Sequence, residues 1–171
     1  MLLLDVNILV YAYREDAPDH RRFKDWLESL VNGDEAYGMS DLVFSGFLRI
    51  VTHSSIFNPP SPIEDALAFA EQIRSQPNCI VMAPGPRHWQ IFANICRTNG
   101  IRGNLIPDAY LAALAMESGS EWISTDGDYA RFFGLRWRRH FEWALPVQPM
   151  RVLFHGTVGY THVIMPMFVQ W

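Results

Sequence analysis

The chain has 171 residues, of which 49% are hydrophobic and 19% charged, a balance that suits one globular domain and excludes a disordered or collagen-like chain. Its formal net charge of −4 argues against a protein that wraps nucleic acid by bulk electrostatics, but not against an enzyme whose clustered carboxylates are offset by a cation. Cys79 and Cys96 match no metal spacing and are too few for a disulfide framework, so buried, reduced thiols are expected. No basic leader precedes the first apolar run and no later run reaches eighteen residues, so a cytoplasmic chain without a membrane span is expected.

In chain order, residues 1–4 form an apolar run ending in Asp5, which predicts a short buried strand, and Ile8, Leu9, Tyr11 and Ala12 continue it as a helix of about two turns. From Asp19 a second helix presents Phe23, Trp26, Leu27, Leu30 and Val31 on one face and ends at Asn32–Gly33. A strand over 36–39 leads to Ser40, the expected cap of a helix carrying Leu42, Val43, Phe47, Leu48, Ile50 and Val51. Ser61–Pro62–Ile63–Glu64 has capping-box spacing with proline at the first helical position, predicting a helix to about Ser75. A strand at 79–82 and a helix over 86–97 follow, then a loop containing Gly100 and Gly103. Pro107 can open a helix over 108–117, with Gly119 at its C-terminal stop; a fourth strand spans 121–124 and a last one 134–137.

Strands alternating with helices, and strand cores apolar throughout, imply a three-layer α/β/α domain with a mostly parallel sheet over residues 1–142. After about Glu142 charge almost disappears, and residues 143–171 are expected to be an apolar extension, either a hairpin or a partner-binding tail.

Open α/β sheets bind ligands beyond the carboxyl ends of their strands. Asp5 closes the first strand, Asp108 falls in the first turn of a helix, and Asp126 and Asp128 follow the fourth strand. Singly, each has a structural reading. Asp5 can end a strand, Asp108 can complement a helix dipole, Thr125 and Asp128 have capping-box-like spacing, and Asp126–Gly127 is a turn pair. Jointly they describe repelling carboxylates that a hard divalent cation, Mg²⁺ or Mn²⁺, would reconcile.

Four segments then resemble PIN-domain ribonucleases of the VapC toxin type, in the family's order. They are Leu2–Leu3–Leu4–Asp5–Val6–Asn7, the stretch from Ser40 through Phe47 to Ile50, Asn104 to Ala113 around Asp108, and Ser124–Thr125–Asp126–Gly127–Asp128–Tyr129. The resemblance covers roughly residues 1–140. It implies a Mg²⁺-dependent endoribonuclease with Asp5, Asp108 and Asp126 as catalytic residues, the same three and Asp128 around the metal, and Asn7 and Thr125 orienting the site. It also implies an RNA substrate and a VapB-like antitoxin; a homodimer is expected as well, with the apolar tail as a dimer or antitoxin surface. Arg97, Arg102, Arg136, Arg138 and Arg139 are the candidate RNA contacts, with Trp137 as a stacking surface or a buried ring.

One position departs from the pattern. Many members carry a glutamate where Gly46 stands here, and Asp41, five residues earlier, falls on a different helical face. Either the site works with its remaining aspartates, or the chain is a catalytically impaired binding module. A haloacid-dehalogenase-type phosphotransferase is disfavoured, because its second aspartate is replaced by Asn7 and the only lysine is Lys24. The histidines lack zinc-ligand spacing and the serines lack a nucleophile elbow.

Overall fold

The computed structural model describes residues 1–139; the expected extension over 143–171 lies outside the described residues. The first apolar run forms β1 (Leu2–Leu4), and Asp5 ends it by turning the chain into α1 (Val6–Tyr13), with its own carboxylate accepting from the Val6 N–H. Then come α2 (His20–Val31), β2 (Tyr37–Ser40), α3 (Asp41–Val51), α4 (Ile63–Arg74), β3 (Cys79–Met82), α5 (His88–Thr98), α6 (Ile106–Ser118), β4 (Glu121–Ser124) and β5 (Trp137–Arg139). Single 3₁₀ turns occupy Gly103–Leu105 and Gly127–Arg131.

Every strand pairing is parallel, in the order β3-β2-β1-β4-β5. The chain moves outward from β1 to β2 to β3, then crosses back to place β4 on the other side of β1. Right-handed crossovers therefore put α1–α4 on one face and α5–α6 on the other, giving the three layers expected. A parallel strand covered on both faces should be apolar throughout, and Leu3 and Leu4 are fully buried. Burying side chains of this size contributes roughly 1.5–3 kcal/mol each. Around them pack Ile8 and Leu9 of α1, Phe47 of α3, Leu111 and Leu114 of α6, and Trp122 of β4.

Several local expectations changed in the folded context. Ser61 does not cap α4: the helix begins at Ile63, Pro62 occupies the cap position, and no side chain bonds there. Arg14 donates to Ser61 Oγ instead, at 3.0 Å, so a tertiary contact displaced the local one. The last strand lies two to three residues later than its apolar sequence indicated, because β5 pairs Trp137 with Trp122 and Arg139 with Ser124. Cys79 and Cys96 are free thiols but only half-buried. Gly119 does close α6, with φ of 64° in the left-handed region that glycine tolerates. No helix among the described residues is long and apolar enough to cross a membrane.

Candidate active site

The sheet order reverses between β1 and β4, so the crevice beyond their carboxyl ends is where this topology offers a ligand site. Asp5 sits there at the end of β1, its backbone N–H donating to the Ile123 carbonyl of β4 at 3.0 Å. Its side chain is 4% exposed. Oδ1 accepts from the Val6 N–H at 2.7 Å, and Oδ2 accepts from Ser124 Oγ at 2.5 Å and, at the long limit of 3.4 Å, from Asn7 Nδ2. Ser124 Oγ in turn accepts from the Asp126 N–H at 2.9 Å, and Asp126 Oδ1 accepts from the Asp128 N–H at 2.8 Å. One serine hydroxyl thus ties the first strand end to the loop after the fourth.

Asp108 reaches the same crevice from the opposite layer. Because α6 leads into β4, its N-terminal turn lies at the carboxyl end of the sheet, and Pro107, its second residue, fits that turn without needing a backbone donor. Asp108 is buried, 9% exposed, and close enough to Asp5, Asp126 and Asp128 for their charges to oppose one another.

The electrostatic consequence is large. Burial, opposed by the Ser124 hydrogen bond and reinforced by Asp108, pushes the Asp5 carboxyl from 3.8 up to about 7. Burial, then the Asp126 and Asp128 charges, raises Asp108 from 3.8 to about 6. Carboxylates with pKa values this high are held in a site that disfavours their charge unless a cation shares it.

Asp128 stands at the rim, paired with Arg131 Nη2. Among the described residues, no group of three or more Asp, Glu, His or Cys side chains is arranged to enclose an ion unaided. Mg²⁺ and Mn²⁺ do not require such a cage: Mg²⁺ is ordinarily held by one or two carboxylates and keeps several waters. Two buried, mutually repelling carboxylates with only oxygen donors around them fit that kind of ion, with Asp5 and Asp108 able to hold it and Asp126 beside them.

The structure brings together Asp5, Asn7, Asp108, Thr125 and Asp126, with Asp128 at the edge. Gly46 lies buried in α3, and Asp41 is an exposed first-turn residue paired with Arg74 at 3.1 Å, so it supplies nothing to the crevice. The arginines divide. Arg139 Nε donates to the Thr125 carbonyl at 3.3 Å, beside the carboxylates. Arg97, in the last turn of α5, and Arg102, just ahead of the turn into α6, are exposed at the same end of the sheet. Arg138 turns to Glu121, at the other end of β4, and Arg136 precedes β5 at that other end. Trp137 is half-buried against the core, which leaves it little of a stacking face.

Sequence reasoning missed Ser124, Tyr11, Tyr129 and Arg131. Tyr11 lies beside the Thr125 side chain and faces Asp126 and Asp5; burial first, and then those charges, raise its phenol pKa. Its signal was its position on α1, about one and a half turns beyond Asp5. A separate groove of about 380 Å³, lined by residues including Ala12, Leu27, Val31, Phe69 and Ile73, runs between α1, α2 and α4 and contains none of Asp5, Asp108, Asp126 and Asp128.

Comparison with known proteins places this geometry. The PIN domain family model matches residues 2–134. Ribonuclease VapC43 of Mycobacterium tuberculosis is 41% identical over 142 residues, covering 83% of this chain and 97% of the relative. Ribonuclease VapC25 of the same organism is 41% identical over 136 residues, covering 80% and 96%. Among solved structures, VapBC2 from Rickettsia felis, bound to a DNA fragment from its promoter, aligns with a TM-score of 0.59 at 18% identity, covering 80% of this chain and 96% of that one.

Proposed function

The chain belongs to the PIN-domain family, among its VapC ribonucleases, and from that premise we propose that it is a Mg²⁺-dependent endoribonuclease, the toxin of a toxin–antitoxin pair. The observation that carries the reading is the buried, oxygen-only crevice in which Asp5 and Asp108 are both held far above ordinary carboxylate pKa values. Mn²⁺ has the same preference for oxygen and is the natural substitute.

A divalent cation bound there would make water a better nucleophile near neutral pH and offset charge on a phosphodiester in the transition state. The chain's own residues do the rest. Asp5 and Asp108 hold the cation, and Asp126 completes the acidic wall. Ser124 and Asn7 fix the Asp5 carboxylate in one orientation, and Tyr11 lies beside Thr125 in the loop that carries Asp126. Asp128, engaged by Arg131, acts at the rim. Arg139, Arg97 and Arg102 lie where an RNA backbone entering the crevice would pass, and supply positive charge beside the acidic cluster.

The partner in this reading is a VapB-like antitoxin, supported by structural neighbours that are VapBC complexes. A second copy of the chain and the role of 143–171 as a binding tail belong to the same proposal. The alternative of an impaired binding module gains nothing from the relatives, which are named ribonucleases.

The test is cleavage of total cellular RNA by the purified protein with Mg²⁺, with Mn²⁺ and with EDTA, beside Asp5→Asn and Asp108→Asn. Metal-dependent cuts that disappear in both variants are expected. Full activity in both, or activity undiminished by EDTA, would overturn the assignment.

A further inference from the structure

Tyr129 lies in the 3₁₀ turn directly after the acidic loop, and its ring is 2% exposed. It packs with its centroid 5.3 Å from Trp122 and 5.7 Å from Phe132. Phenylalanine would satisfy that packing equally well. The hydroxyl is therefore the feature that needs explaining, and it is set among the charges of Asp5, Asp108 and Asp126. Among the described residues, neither Tyr129 Oη nor Trp122 Nε1 has a well-formed hydrogen-bond partner, although both atoms are buried. Two adjacent donors buried against a carboxylate cluster, neither with a well-formed bond, point to partners within the site.

We infer that Tyr129 is a positioning residue for Asp108: the Trp122 indole N–H donates to the phenol oxygen, and the phenol O–H donates to one carboxylate oxygen of Asp108, leaving the other for the cation. Metal ligands are commonly oriented by such outer partners. The placement agrees, since the Tyr129 side chain meets the Asp108 carboxylate on one side and the Trp122 indole on the other. Trp122, fully buried in β4, holds the phenol from behind. The inference rests on the reading that Asp108 holds a divalent cation.

The experiment is Mn²⁺ binding to the whole chain, without RNA, by calorimetry and by loss of the free Mn²⁺ resonance signal. It compares wild type, Tyr129→Phe, Trp122→Phe and Asp108→Asn, with thermal unfolding of each. Tyr129→Phe keeps the ring packing and should melt close to wild type, yet bind Mn²⁺ about tenfold more weakly, the lower end of what losing such a partner produces. Its RNA cleavage should lose kcat with KM unchanged. Trp122→Phe should weaken Mn²⁺ binding by a smaller factor, and serves if Tyr129→Phe is unstable. Wild-type Mn²⁺ affinity in both aromatic variants overturns the inference. Wild-type affinity in Asp108→Asn would instead overturn the metal-site reading beneath it.

Discussion

Replacing Asp5 with asparagine should stabilise the metal-free protein at pH 8 while removing its activity. In the folded chain the Asp5 carboxyl titrates at about 7 instead of 3.8. A folded-state pKa above the unfolded one means that folding favours the protonated acid. The associated stability is present in full below about pH 4 and is lost as pH rises through 7. At 1.36 kcal/mol for each tenfold change in the ionisation constant, the gap between 3.8 and about 7 corresponds to a ceiling of ~4 kcal/mol. Asparagine avoids that penalty but accepts less well: its amide oxygen can keep the Val6 N–H, while the Ser124 hydroxyl loses its acceptor, a loss of about 1 kcal/mol. The net gain at pH 8 should be ~1–3 kcal/mol, or a few degrees in Tm for each kcal/mol. Urea denaturation in EDTA at pH 5 and pH 8 reads it. The stability difference between variant and wild type should be small at pH 5, where only roughly a third of the penalty has developed, and clearly larger and positive at pH 8. A variant less stable than wild type at pH 8, or a difference independent of pH, would refute the claim that Asp5 is held charged against its environment.

Three further outcomes follow from the same geometry. Saturating Mg²⁺ or Mn²⁺ should raise the wild-type Tm at pH 8, by about 2.7 kcal/mol of stability at a hundredfold excess over Kd; Asp5→Asn and Asp108→Asn should show no such rise, and equal rises in all three would contradict the ligand assignment. Ser124→Ala removes the donor to Asp5 and the acceptor for the Asp126 N–H together, so it should lower stability by roughly 1–3 kcal/mol and lower kcat; wild-type values for both would show that the serine bridge is idle. Arg139→Ala should raise KM for RNA and reduce the salt dependence of binding by ~0.7 in log–log slope, as expected for one contact to single-stranded phosphate, whereas Arg138→Ala, whose side chain is turned to Glu121, should leave both unchanged; the reverse order would move the RNA path to the other end of β4.

The elements that could be read in the sequence are those whose reasons are local. An apolar run closed by Asp5, a helix opened by Pro107 and stopped by Gly119, and the Asp126 turn each state their structure within a few residues, and the observed elements match them. Alternation of these elements was enough for the three-layer class. What stayed hidden depends on distant partners. Ser61 satisfied every local rule for a cap, yet Arg14, 47 residues away, takes its hydroxyl. Arg138 and Arg139 are neighbours of identical chemistry, and only the register of β5 against β4 sends one to Glu121 and the other to the acidic loop. Ser124 reads as an ordinary strand-end serine until β4 is placed beside β1, and the Tyr129 hydroxyl is indistinguishable from a core aromatic's spare atom until the three aspartates surround it.

The serine bridge also sets when the protein can act. Asp5 and Ser124 are separated by 119 residues, so the crevice does not exist until β4, inserted beside the first strand made, has left the ribosome. Translation at ~5–20 residues per second therefore releases Asp5 many seconds before its partners. Throughout that interval the nascent chain has one acidic strand end and nothing to complete it. Fragments that terminate before β4 inherit the same incompleteness, so an RNA-cutting activity of this architecture is withheld from them and becomes possible only once β4 and the acidic loop after it have been made.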